Sequence, residues 1–289
     1  MDEFKKNLKR STGVRFFIYL IALLVCSLLG SVVTLWLSVG NDITLLKIGQ
    51  GISSILVFVA PPLILYGFTR HQPLQAIGFR KPVNAWMLLI GVALMFVSLP
   101  LTNQLTAWNE KMNLGTAFES LETMLKQLED TAGDLTDRML QVDSIPGLLF
   151  NLLVIALIPA IGEELTFRGV LQQALVKGCK NAHVGVFLSA AIFSFIHLQF
   201  YGFLPRMFLG IILGYMFYYS GSLWTSILLH FVNNGTAVVV AFLEHKGLTS
   251  VDAETFGATS NLWLMGASLV ITVTLIILCD KIKYKYGRK

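Results

Sequence analysis

Three short segments hold the residues whose types and spacing could do chemistry. In "IPAIGEELTFRGV", Ile158–Val170, two adjacent glutamates precede an arginine. On a helix Glu164 and Arg168 stand at i and i+4 on one face, the spacing of an ion pair. Glu163 is turned about 100° from Glu164, so it lacks that partner and is the available acid. In "FSFIHLQF" Phe193 and His197 share a face, and in "LLHFVNNG" His230 and Asn234 share one, with Asn233 rotated away. Taken singly, a histidine on an apolar face is more often a hydrogen-bonded core residue than a catalyst. Together, a free carboxylate, two imidazoles and an amide suit peptide hydrolysis. Glu163 can deprotonate water and return the proton to the leaving amine, Asn234 and one histidine can donate to the oxyanion, and the other histidine can hold the water. The same atoms permit a metal reading, with Glu163, His197 and His230 as ligands of a divalent ion such as zinc. The sequence HExxH is absent, and ligation by Glu163 would remove the obvious base, so the metal-free glutamate mechanism is favoured.

These residues sit in an apolar chain. Of 289 residues 55% are hydrophobic and 13% are charged, against roughly 25% charged in a soluble domain; the mean hydropathy is +0.68. Runs long enough to cross a bilayer lie at about Val14–Val39, Ile43–Thr69, Val83–Leu105, Ile145–Gly162, Val184–Gln199, Phe203–Ser220, Leu223–Leu243 and Leu262–Cys279. The expectation is an all-α, polytopic membrane helix bundle of about eight transmembrane helices, a single membrane domain over 1–289 with a polar site inside it. Burying Glu, His and Asn at membrane depth is costly, and such groups face a bundle interior or a wet cavity. Three successive apolar segments, each offering an unshared polar group, suggest one convergent site.

The first run is too long for a signal-peptide core and is expected to stay in the mature protein. Cys26, Cys179 and Cys279 are an odd number, scattered, and imply no disulfide framework. With the N-terminus inside, Lys5, Lys6, Lys9, Arg10, Arg15, Arg70, Arg80, Lys81, Lys177, Lys180, Lys281, Lys283, Lys285, Arg288 and Lys289 all fall on the cytoplasmic side. Lys47, Lys111, Lys126, Arg138, Arg206 and Lys246 fall outside. The positive-inside rule therefore puts both termini in the cytoplasm, and the basic tails are orientation signals at the lipid surface, with no nucleic-acid partner. The polar connection over 106–143 has apolar residues at helical spacing, interrupted near Gly133, and reads as two short amphipathic extracytoplasmic helices. The Gly210/Gly214 pair has the spacing of a close helix contact.

"EELTFR" fits EExxxR, Phe193–His197 fits FxxxH, and His230–Asn234 fits HxxxN. In order and approximate spacing they resemble the motifs of the CAAX protease and bacteriocin-processing family of intramembrane proteases, related to type II CAAX prenyl endopeptidases. The resemblance covers a core at about 145–243. It implies an all-helical protease whose buried glutamate, Glu163 here, activates water, with His197, His230 and Asn234 completing the site and Glu164 and Arg168 as the motif's second acid and base. It also implies a peptide or membrane-protein substrate and a multi-pass location, in a bacterial plasma (inner) membrane. Two other classes compete. A non-enzymatic scaffold or bacteriocin-immunity protein would need only the Glu164–Arg168 pair, and a transporter could use the same groups as a proton relay.

Overall fold

The structure, a computed structural model, describes residues 12–69, 73–253 and 255–286. Lys5, Lys6, Lys9, Arg10, Arg70, Arg288 and Lys289 of the charge pattern lie outside the described residues. Those described form helices and short connections, with no strand among them. In chain order the helices are α1 (Thr12–Ser38), α2 (43–69), α3 (Pro73–Ile77), α4 (Ala85–Val97), α5 (Leu99–Glu110), α6 (Glu119–Leu140), α7 (Ile145–Cys179), α8 (Ala182–Phe195), α9 (Phe203–Ser220), α10 (Leu223–His245) and α11 (Leu262–Tyr286).

Local chemistry sets several of these boundaries. Asp42 caps α2 by accepting from the Thr44 and Leu45 amides, Asn84 caps α4 through Met87, and Ser144 and Asn181 cap α7 and α8. Each supplies an oxygen to amides that a helix start leaves without a partner. Gly221, at φ 63°, closes α9 in the left-handed conformation that glycine adopts without steric cost.

Among the described residues five helices are long and apolar enough to cross a membrane: α1, α2, α7, α10 and α11. The pair α4 and α5, bent by 45° at Ser98, makes a sixth if counted as one span. Of the eight expected apolar segments, each is helical, and those at α8 and α9 fall short of this length and hydropathy. Helix α8 has only 14 residues, about 21 Å at 1.5 Å per residue, short of a hydrocarbon core roughly 30 Å thick. Helix α9 dilutes its apolar surface with Arg206, Tyr215, Tyr218 and Tyr219. Outward-facing α1 and α11 expose Phe17, Leu24, Leu35 and Trp263 at more than 60%, a surface that needs lipid.

Two further expectations change. The fourth apolar run does not stop at Gly162: α7 continues unbroken through the glutamates to Cys179, 35 residues in all. The acidic connection holds one 22-residue helix, α6, in place of two. Gly133 lies within it with open space around its Cα, and the ~1 kcal/mol that glycine costs relative to alanine does not break a helix of this length.

The bundle has two distinct ends. At one, Leu223 N–H donates to the Gly78 carbonyl and Ser222 Oγ to the Lys81 carbonyl at 2.8 Å, while His183 Nδ1 meets Tyr215 Oη at 2.8 Å. This joins the turns that carry Arg80, Lys81, Lys177 and Lys180. At the other, Asn109 bridges the Phe200 carbonyl (2.8 Å) and the Leu204 amide (2.6 Å), and Asn103 reaches the Phe256 carbonyl at 3.1 Å. Acidic α6 joins this second end, where Glu129 accepts from the Tyr201 amide at 3.1 Å.

Candidate active site

Glu163, Glu164 and Arg168 lie midway along α7, deep in the bundle. Glu164 and Arg168 are 0% and 1% exposed, and Arg168 Nη1 donates to Glu164 Oε1 at 2.7 Å. His230, on α10, brings its Nδ1 to the same oxygen at 2.9 Å. A carboxylate only accepts, so Nδ1 carries the hydrogen and Nε2 is turned away from Glu164. That Nε2 stands 3.7 Å from Glu163 Oε2, beyond hydrogen-bond reach. The adjacent glutamates therefore differ in kind: one is held by an arginine and a histidine, and the other keeps its carboxylate uncommitted.

The local path of α7 explains how a charged triplet fits inside a membrane bundle. The helix widens into π-turns at Leu152–Leu157 and Phe167–Gln172, on either side of the glutamates, and α2 does so at Ile55–Val59. Such widened turns recur at functional sites. Thr166 Oγ1 donates to the Phe58 carbonyl and Tyr66 Oη to the Gly169 carbonyl, each at 2.8 Å, which ties α7 to α2. A side chain at Gly162 would put its Cβ 2.9 Å from Phe58 Cβ, so only glycine permits this approach.

On its other flank α7 grips α9. Arg168 Nη2 donates to the Gly210 carbonyl and Gln172 Nε2 to the Gly214 carbonyl, both at 2.9 Å. Two side chains four residues apart on one helix thus clamp two carbonyls four residues apart on the next. A Cβ at Gly214 would stand 2.9 Å from Gln172 Oε1 and from Val186 Cγ1. The glycine spacing serves packing, as expected, and the packing holds Arg168 in place.

His197 lies two residues past the end of α8, in the turn that leads to α9. Short α8 thus ends beside the middle of α7, which brings His197 to the level of Glu163. Its Nδ1 donates to the Phe193 carbonyl at 2.8 Å. The Phe193 ring packs between His197, His230 and the Arg168 guanidinium, at 5.0, 6.1 and 5.1 Å. A cavity of about 460 Å³ is lined by Glu163, His197, His230 and Asn234 together. The structure thus brings all four candidate residues to one space, with Glu164 and Arg168 behind them.

Two residues of this cavity were not singled out from the sequence. Asn233, expected to point elsewhere, lines the cavity and donates through Nδ2 to Asn234 Oδ1 at 3.1 Å. Asn234 Nδ2 is thereby left as the amide donor. Arg206, from the second turn of α9, also lines it; a signal was available, since it is an arginine inside an apolar run. Among the described residues no three His, Cys, Asp or Glu side chains are grouped to hold a metal ion. Glu163, His197 and His230 share a cavity without converging as ligands, and each histidine commits Nδ1 to a protein acceptor. As placed, the three side chains are not gathered into a zinc ligand set, and each histidine leaves Nε2 alone for the cavity.

The fold and site define a polytopic helical membrane protein with a polar cavity between its helices. Residues 145–236, about a third of the chain, match the family described as type II CAAX prenyl endopeptidase Rce1-like. The matched segment runs from α7 into α10 and contains Glu163, Glu164, Arg168, His197, His230 and Asn234. The "Uncharacterized protein YpbD" of Bacillus subtilis (strain 168) is 26% identical over 117 residues, covering 39% of this chain and 55% of that protein. The similarity therefore spans about half the length of that relative. No solved structure matches the chain.

Proposed function

We propose that the protein is an intramembrane endopeptidase of the CAAX-protease-like type, and that Glu163 activates the water that attacks the peptide carbonyl. The observation that carries this reading is the division of labour between neighbours. Glu164 Oε1 accepts from both Arg168 and His230, while Glu163 has no hydrogen-bond partner among the described residues and lines the cavity. A bundle that needed polar residues only for packing would use the Glu164 cluster and would gain nothing from a second buried acid.

In the proposed reaction Glu163 takes the proton of a cavity water, the hydroxide adds to the scissile carbonyl, and Glu163 returns the proton to the leaving amine. Neutral His197, with Nδ1–H on the Phe193 carbonyl, presents Nε2 as an acceptor that can hold the water. Asn234 Nδ2 donates to the oxyanion. His230, held through Nδ1 on Glu164, faces the same space with Nε2, 3.7 Å from Glu163 Oε2, and can hold the water beside the base.

The substrate is a peptide or a membrane-protein segment. If the basic end of the bundle is cytoplasmic, the cavity wall formed by Thr102, Gly202 and Arg206 lies towards the extracytoplasmic end, and cleavage takes place on that side of the membrane centre. The relative from Bacillus subtilis fits a bacterial plasma membrane. The test is a proteomic comparison of membranes carrying the intact protein with membranes carrying Glu163→Gln. Processed peptides should disappear in the variant at equal protein abundance, and identical peptide profiles would reject the reading.

A further inference from the structure

The cavity contains a cation that the hydrolytic steps do not use. Arg206 shares the lining with Glu163, His197, His230 and Asn234. Its Nη2 donates to Gln199 Oε1 at 2.8 Å, whereas Nη1 is shielded from solvent and meets no acceptor. Arg206 forms no ion pair among the described residues. The contrast with Arg168 is direct: that guanidinium is fixed by a carboxylate through Nη1 and by a carbonyl through Nη2.

The turn that carries Arg206 is firmly held. Asn109 grips it at Phe200 and Leu204, Glu129 at Tyr201, and Ser194 Oγ donates to the Phe203 carbonyl at 2.7 Å. Gly202 leaves the space that the guanidinium occupies: a Cβ there would stand 2.8 Å from Nη2 and 3.2 Å from Nη1. An arginine with a spare donor, aimed by a glutamine and kept in place by a rigid turn, is suited to a planar anion. A second cavity, of about 650 Å³, meets the first at Ile155, Pro159 and Glu163, and is lined there mostly by apolar and hydroxyl side chains. A peptide crossing Glu163 would therefore have a cationic compartment on one side only.

We infer that Arg206 is a specificity-determining residue that binds a substrate carboxylate in the cavity beside Glu163, so that the enzyme prefers peptides carrying a negative charge on one side of the cut bond. This rests on the protease reading. The carboxylate can be a chain terminus or an Asp or Glu side chain. A charge-assisted pair of this kind corresponds to about a tenfold preference or more.

The test uses the full-length protein in detergent micelles and three matched pools of random peptides: free C-terminus without acidic residues, amidated C-terminus without acidic residues, and amidated C-terminus with one Asp. Cleavage is read by mass spectrometry. The intact protein should favour a carboxylate-bearing pool over the amidated neutral pool by about tenfold or more. Preference for the free terminus alone identifies a terminal carboxylate, and preference for the Asp pool identifies a side chain. Arg206→Gln should bring the ratio close to one, and Arg206→Lys should restore part of it. Gly202→Ala, which keeps the charge and displaces it, should lower the ratio as well. Equal cleavage of all pools by the intact protein, or an unchanged ratio in Arg206→Gln, would overturn the assignment.

A separate binding arm keeps this distinct from failure of the protease reading. Capture of the same three pools, fluorescently labelled, is measured on Glu163→Gln protein with and without Arg206→Gln. If nothing is cleaved but carboxylate-dependent capture is lost with Arg206, the protease reading fails and the carboxylate site stands. If capture is the same for all pools, the site falls whatever the cleavage result.

Discussion

Glu164 and His230 are joined at 2.9 Å through the oxygen that also accepts from Arg168 at 2.7 Å. One carboxylate oxygen, fully buried, therefore orients an imidazole and neutralises a guanidinium at once. Glu164→Gln keeps the shape and removes the charge, and it leaves Arg168 buried without its counter-ion. Breaking a buried pair from one side costs about 3 to 5 kcal/mol. Thermal unfolding in detergent should shift clearly downward for this variant. An unfolding temperature equal to that of the intact protein would remove the structural role assigned to the pair.

Glu163→Gln should behave in the opposite way. Its carboxylate has no hydrogen-bond partner among the described residues, so the folded bundle loses little. Cleavage of any peptide found to be a substrate should fall by ~10² to 10⁴-fold, as expected when general acid–base catalysis is removed. Unfolding and activity are measured on the same preparation. Full activity in the folded variant would mean that another group carries the proton.

The orientation can be tested by labelling single cysteines in intact cells with a membrane-impermeant reagent. Residue 5 and residue 285 should be protected, and residue 120, on the first turn of α6, should react. The expectation follows from the concentration of Lys and Arg at the end opposite α6. Labelling at both terminal positions with protection at residue 120 would invert the assignment and put the wall formed by Gly202 and Arg206 towards the cytoplasm, and labelling at one terminus alone would mean an odd number of spans.

Docking of α6 should depend on pH through Glu122. Lys126 pairs with its Oε1 at 3.0 Å, and the Leu114 amide donates to Oε2 at 3.1 Å. These partners, Lys126 first, hold the Glu122 carboxyl below the usual carboxylate range. A lowered acid stabilises the docked form above its unfolded value and loses that contribution as pH falls through the folded value. Neighbouring Glu129 is raised by burial and acts with the opposite sign, so the informative quantity is the difference between intact protein and Glu122→Gln. Protease protection of α6 should be greater in the intact protein near neutral pH, and the difference should shrink as pH falls below the ordinary glutamate range. A difference independent of pH would show that the Glu122 carboxylate does not hold the helix.

Much of the site was legible because helical spacing is a local rule. The shared face of Glu164 and Arg168 follows from i and i+4, and so does the separation of Glu163 from them. What the residues could not convey was longer-ranged. The π-turns that flank the glutamates depend on contacts with α2 and α9. The end of α8 at Phe195 depends on Ser194, whose hydroxyl reaches the Phe203 carbonyl across a turn. The depth of His197 is therefore set by where α8 ends, which the apolar run Val184–Gln199 does not convey. Asn233 was misjudged because a 100° step on α10 still opens onto a cavity wide enough to accept both asparagines. Arg206 has the position of an extracytoplasmic orientation charge, yet the turn at Gly202 folds it into the cavity.

Cleavage should not depend on a bound metal ion. His230 spends Nδ1 on Glu164 and His197 spends Nδ1 on the Phe193 carbonyl, so each could offer a metal only Nε2. A zinc site needs those two nitrogens and a Glu163 oxygen about 2.0 to 2.2 Å from one point, which requires His230 and Glu163 to close on an ion from a separation of 3.7 Å and His197 to join them. Ligation by Glu163 would also withdraw the base from the reaction. Protein purified without added metal should therefore contain no stoichiometric zinc by elemental analysis. Chelator treatment should leave cleavage unchanged, and His197→Ala or His230→Ala should lower activity without altering metal content. Loss of activity on chelation, recovery with zinc, and loss of bound zinc in both histidine variants would together establish the opposite mechanism, with Glu163 as a ligand and some other group as the base.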